Sequence, residues 1–312
     1  MNTGSSGNSA ICARVERTLA INRKAKLNFP GVFMDVIGHE LDEDRIRLQF
    51  YDDPLFREGR GEVSWVAVGV LADLALGGVT RPRGGPRVRP ATVHIALQMS
   101  GAPVRGDLAA DARFLMFSER TQARQALSTA TISAGDTVLG SCSGAFVMLD
   151  LPPGSEQFTR PWLPPGVTDE PLGPVEFDEN ERRALEACRH AERVATPRHP
   201  FVEHFWCGIP VTRRDRADLD IEVTPHLGNR IGHVHGGVLF GAVASVAGAA
   251  TRPDMRLSNL SAYFLAPGLP PRLHVRAEVV QQGRSIAVVR SSVTRADGKL
   301  VLEATSQHVA AA

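Results

Sequence analysis

The sequence predicts an α+β protein made of two copies of one unit, each a curved antiparallel sheet wrapped around a single apolar helix. Three observations carry this expectation. Residues 63–76 and 238–249 are almost free of ionisable side chains, with Asp73 the exception. A helix that is apolar nearly all round has to be buried on all sides. Each such stretch is followed by strand-like runs, four in number, and a curved sheet can enclose the helix. Finally, the turn before the last run recurs. Ile132-Ser133-Ala134-Gly135-Asp136-Thr137-Val138-Leu139 in the first copy stands beside Val293-Thr294-Arg295-Ala296-Asp297-Gly298-Lys299-Leu300 in the second.

Taken in order, residues 1–9 are rich in Gly, Ser and Asn and read as a disordered tail. Residues 11–26 read as a short basic helix. In the first copy, 45–50 alternates as a strand, 52–62 is a charged loop, 63–76 is the apolar helix and 81–90 is a Pro/Arg/Gly segment. Strands are expected at 91–99, 107–117, 123–132 and 138–149. Residues 151–174 hold many prolines without periodicity and read as a linker. Residues 178–194 form a helix: Asp178 and Glu181 have capping-box spacing, and Leu185 and Cys188 share a face. The second copy then places strands at 205–211 and 219–223, a loop with Asn229, the second apolar helix, and strands at 257–265, 272–280, 285–293 and 300–309. The expected division is a tail and short helix at 1–28, a first domain at 29–150, a linker with its helix at 151–196, and a second domain at 197–312.

Composition narrows the function. The 312 residues include 35 basic and 34 acidic ones, for a net charge of +1. That balance gives no support for nucleic acid or a charged membrane surface as partner. The four cysteines, Cys12, Cys142, Cys188 and Cys207, lack metal-ligand or redox spacing and read as reduced thiols in a cytoplasmic protein. The first apolar patch is broken by Arg14, Glu16 and Arg17, unlike a signal peptide. The uncharged runs 63–80 and 236–251 are glycine-rich; Asp73 interrupts the first, and the second is short for a bilayer.

The stretch richest in chemistry is Asn229-Arg230-Ile231-Gly232-His233-Val234-His235-Gly236-Gly237, a polar loop entering the second apolar helix. Free N–H groups at a helix N-terminus, together with the helix dipole, favour negative charge. Glycines let a ligand approach them closely. Such a turn can hold a carbonyl oxygen that becomes negative during reaction. His-Gly-Gly by itself equally fits a plain turn before a buried helix. His226, His233 and His235 lack the carboxylate and cysteine partners of a zinc site, so no metal and no cofactor is expected.

This layout, with Asn-x5-His-Gly-Gly before the central helix, resembles the hotdog-fold acyl-CoA thioesterases of the phenylacetyl-CoA/4-hydroxybenzoyl-CoA type. The resemblance covers roughly residues 29–150 and 197–312 as two tandem copies. It is stronger in the second, where Asn229, Gly232, His235, Gly236 and Gly237 stand at the family's spacing and Leu260-Ser261-Ala262-Tyr263-Phe264-Leu265-Ala266-Pro267 resembles its next strand. The family pattern also places a carboxylate in the central helix. In the second copy that position is Ala244. In the first copy it is Asp73, while Glu58, Ser64 and Trp65 replace the asparagine, histidine and first glycine.

The resemblance implies a site at the seam between copies, with the acid from one and the His-Gly-Gly turn from the other. The two half-losses then leave one complete composite site: Asp73 as base or nucleophile, Gly236 as oxyanion donor, and His235 or Asn229 orienting the carbonyl. Gly237 lies beside the substrate, and Thr92 matches a hydroxyl that positions water in some members. A mirror seam would hold Ala244 facing Ser64. The expected partner is an acyl-CoA substrate within an intrachain pseudo-dimer, with further self-association left open. Arg81, Arg83, Arg87 and Arg89 fit either coenzyme A phosphates or a solvated loop. The rival readings are a non-catalytic acyl-CoA-binding module, a hotdog hydratase or dehydratase, and the double-hotdog thioesterases that use an acid, a hydroxyl and a glutamine, for which Gln98 is the candidate glutamine.

Overall fold

The computed structural model describes residues 9–25, 27–118, 124–151, 162, 170–229 and 231–311. Residues 1–8 of the tail expected at 1–9, and most of the proline-rich stretch, lie outside these. The first half contains α1 (Ala10–Ala25), α2 (Phe29–Phe33), β1 (Ile37–Asp42), β2 (Arg45–Phe50), α3 (Trp65–Gly78) and α4 (Arg81–Gly84). The strands β3 (Val88–Met99), β4 (Leu108–Phe117), β5 (Gln125–Ala134) and β6 (Thr137–Asp150) complete it. After α5 (Glu179–Val194) the order returns as α6 (Phe201–Trp206), β7 (Val211–Arg213), β8 (Arg216–Glu222) and α7 (Gly236–Ala250). The last strands are β9 (Met255–Phe264), β10 (Arg272–Gln282), β11 (Ile286–Arg295) and β12 (Leu300–Ala310).

The twelve strands among the described residues join one antiparallel sheet, in the order β1-β2-β4-β5-β6-β3-β9-β12-β11-β10-β8-β7. The order reads the same from either end once the two halves are matched. The halves meet edge to edge where β3 pairs β9, with His94 opposite Tyr263 and Leu97 opposite Leu260. Helix α3 packs on β2 to β6 and α7 on β8 to β12. Both helices are buried along nearly their whole length, which explains their lack of charge.

The two central helices touch backbone to backbone. A Cβ on Gly237 would stand 2.4 Å from the Gly69 carbonyl oxygen and 2.6 Å from Val70 Cα; one on Gly241 would stand 2.3 Å from Val66 Cα. Only glycine permits this approach. Because Asp73 lies one turn beyond Gly69, the contact carries it to the start of α7.

Elsewhere the capping box of α5 forms as its spacing implies: Asp178 Oδ1 accepts the Glu181 N–H at 2.8 Å, and Glu181 Oε2 accepts the Asp178 N–H at 2.9 Å. Helix α1 is an interior element, burying Cys12, Val15 and Leu19 against α2 and α5. Two short segments differ from expectation. Residues 201–206 form a helix that overlaps the start of the expected strand, because Phe201, Phe205 and Trp206 join a cluster with Phe29, Phe33 and His226. Residues 81–84 close into a helical turn after α3.

Candidate active site

Asp73 and His235 are both buried, with relative exposures of 7% and 6%, although they come from opposite halves of the chain. The Asp73 carboxylate is held at both oxygens. Its Oδ1 accepts the Thr92 hydroxyl at 2.8 Å, and its Oδ2 accepts the Gly237 N–H at 2.9 Å. A negative group at the start of the fifteen-residue α7 is also favoured by the helix dipole. Thr92 reaches Asp73 because β3 carries a bulge between Thr92 and His94. One extra residue reverses the alternation of the strand, so Thr92 joins the face that Ile95 and Leu97 turn to the core.

His235 is the N-cap of α7. Its Nδ1 accepts the Gly237 N–H at 3.1 Å and stands 3.3 Å from Asp73 Oδ2. Burial lowers its pKa, against the opposing pull of Asp73. With Nδ1 accepting the Gly237 N–H, the ring carries its proton on Nε2. The two nearby N–H groups have different roles. Gly237 is buried and its N–H is shared between Asp73 and His235. Gly236 is half-buried at the cavity wall, and no hydrogen-bond acceptor for its N–H occurs among the described residues. A Cβ on Gly236 would lie 2.8 Å from Asp73 Oδ2 and 3.2 Å from Thr92 Oγ1, so this glycine keeps clear the space in front of the carboxylate.

These groups open onto a cavity of about 1000 Å³ along the seam. Leu74, Phe146, Leu151, Leu239 and Phe264 give it apolar walls, and the C-terminal turn of α3 adds Gly77 and Gly78. Arg81 and Arg89 line it as well, whereas Arg83 turns to Asp44 at 2.8 Å. Burial lowers the Arg81 pKa to about 10.

The corresponding positions at the other seam line a smaller cavity of about 330 Å³. There Ala244 and Leu257 stand where Asp73 and Thr92 stand in the large one. The Trp65 N–H, equivalent to that of Gly236, is bonded to Glu58 Oε1 at 2.9 Å. Burial pushes the Glu58 carboxyl up to about 7.

Comparison with known proteins places this geometry in context. The family model for the acyl-CoA thioesterase N-terminal domain matches residues 224–308, within the second half of this chain. No curated protein matches in sequence. Solved structures match over most of the length. A Lactobacillus plantarum protein provisionally named an oleoyl thioesterase superposes with a TM-score of 0.56 at 11% identity, over 87% of this chain and 98% of that one. The tesB protein of Mycobacterium avium subsp. paratuberculosis gives 0.55 at 12%, over 89% and 96%. A hot dog fold protein from Alicyclobacillus acidocaldarius gives 0.52 at 11%, over 88% and 95%. The chain has the hotdog fold.

Of the residues singled out in the sequence, the structure brings Asp73, Thr92, His235 and Gly236 together at one cavity. Two others have different surroundings from those expected. Gly237 packs against α3 and donates to Asp73, so it does not line the cavity. Asn229 does line it, but its Oδ1 accepts the N–H groups of Ile231 at 3.0 Å and His233 at 3.2 Å, which holds its own loop. The Asp73–Thr92 pair also supplies the acid and hydroxyl of the glutamine-dependent rival. Gln98 is exposed, and no glutamine lines the cavity among the described residues. The apolar walls carry no local sequence signal, since Phe146 comes from a distant strand and is aimed by the sheet.

Proposed function

We propose that this protein is an acyl-CoA thioesterase working at one composite seam between its two hotdog units. One observation carries the reading: a buried carboxylate beside an uncommitted helix N-terminal N–H, at a large cavity with apolar walls. The thioester oxygen would accept the Gly236 N–H, where charge developing in the transition state meets a preorganised donor. Asp73 would either take a proton from an attacking water or attack the carbonyl itself, giving an anhydride that water then opens. Either route breaks the carbon–sulfur bond and releases the thiol and the free acid. Thr92 holds the carboxylate's second oxygen, and His235 shapes the turn that presents Gly236.

A second reading has an observation in its favour. Both oxygens of Asp73 are already engaged, as they would be in a helix cap within a binding-only protein. One experiment separates the two: thiol release from a panel of acyl-CoAs by the purified chain, with calorimetric titration alongside. Turnover that Asp73→Asn abolishes supports the enzyme. Saturable binding with no turnover supports the binding protein.

A further inference from the structure

The packing of α1 against α5 brings together three side chains from distant parts of the sequence. Cys12 Sγ lies 3.5 Å from Cys188 Sγ and donates to Glu192 Oε2 at 3.3 Å. The three donor atoms all lie within 4.8 Å of one another. Both cysteines are buried, and Glu192 is half-buried at the rim. None of the three lines either cavity described above.

We propose that Cys12, Cys188 and Glu192 form a structural binding site for a zinc-like divalent cation that ties α1 to α5. The spacing fits without backbone movement. Metal–sulfur bonds of about 2.3 Å in a tetrahedral site put two sulfurs about 3.8 Å apart. Cys188 and Glu192 are one turn apart on α5 and therefore face the same way. The fourth position of a tetrahedral site falls to water. Two thiolates with a carboxylate select a borderline-soft cation over magnesium or calcium. On binding, each thiol loses its proton to solvent and its sulfur donates a lone pair to the cation; no oxidation is involved. The half-buried carboxylate gives the ion a path inward.

The test uses the full chain, freed of metal and reduced with a phosphine. Cobalt(II) is titrated in, and the sulfur-to-cobalt charge-transfer band is followed. The expected result is one equivalent bound per chain, displaced by zinc, with a rise in melting temperature when zinc is added. Changes outside a ligand shell already cost about 10–100-fold in affinity, so Cys12→Ser and Cys188→Ser should each lose more than about 100-fold. Cys142→Ala and Cys207→Ala should keep the band. Should the cysteine variants fail to fold, Glu192→Gln at the rim, which replaces a charged ligand by a neutral amide, must still weaken binding by at least about tenfold. Absence of the band in folded, reduced parent protein under excess cobalt overturns the proposal. So does a band that survives Cys12→Ser together with Cys188→Ser. Closure to a Cys12–Cys188 disulfide in a chain that takes up no metal when reduced also overturns it.

Discussion

Asp73→Asn should stop turnover while leaving the fold standing, and the structure sets both magnitudes. Asparagine has nearly the shape of aspartate. Its amide oxygen can accept the Gly237 N–H that Asp73 Oδ2 now accepts at 2.9 Å. Its NH2 group can then donate to Thr92 Oγ1, whose own proton rotates away from the 2.8 Å bond it makes in the parent. Two hydrogen bonds are retained and one charge is lost. The cost is a charge-assisted bond and the attraction to the start of α7, together about 1–2 kcal/mol. At about 2–4 °C per kcal/mol for a domain of 150–250 residues, melting should fall by no more than about 8 °C. The rate should respond very differently. Removing a positioned base costs about 10²–10⁴-fold, or about 3–5 kcal/mol of barrier. Initial rates of thiol release, measured beside melting curves on the same preparations, read both quantities. A folded Asp73→Asn protein within about threefold of parental activity would remove Asp73 from the mechanism and the composite seam with it.

Gly236→Ala places a methyl group 2.8 Å from Asp73 Oδ2, so the carboxylate must shift, and kcat should fall about 100-fold; a parental kcat in steady-state kinetics contradicts this. Ala244→Asp would bury a carboxylate where the Trp65 N–H is already bonded to Glu58. Urea unfolding should show a loss of about 2–4 kcal/mol, and the Asp73→Asn/Ala244→Asp double variant should stay inactive; recovered turnover would sink the account of the mirror seam. Glu58 gives a pH signature. Its folded pKa is raised from 4.5 to about 7, so between these values the folded chain keeps a proton that the unfolded chain has released. Stability therefore falls as pH rises through that window, by up to about 3 kcal/mol. Glu58→Gln should flatten this slope between pH 5 and 8, and parallel stability curves for parent and variant would count against it.

What the sequence made legible was whatever burial imposes locally. A helix enclosed on all sides cannot carry charges, so residues 63–76 and 238–249 stood out, and Asp73 stood out as the exception. The turn at His235-Gly236-Gly237 and the capping box at Asp178 and Glu181 are likewise written in adjacent residues. What remained hidden depends on tertiary packing. Residues 201–206 are a short apolar run without a decisive period, and the aromatic cluster around Phe205 decides their conformation. The bulge after Thr92 leaves no mark in composition, yet it determines which way that hydroxyl points. Asn229 stands at the family's spacing, but only the loop's own N–H groups reveal where its oxygen turns. Cys12 and Cys188 lie 176 positions apart, so spacing rules could not pair them.

The contact between α3 and α7 has a consequence for symmetry. Gly237 meets Val70, and Gly241 meets Val66. Helix α7 brings Gly237 and Gly241 to the joint, and α3 brings Gly69, whose Cβ would stand 2.3 Å from the Gly237 carbonyl oxygen. In an assembly of two identical chains each contact is made twice, so whatever stands at one seam is copied at the other. A single chain that carries both helices is released from that copying. One seam holds Asp73 and Gly236, while the other holds Ala244 and Trp65 at the matching positions.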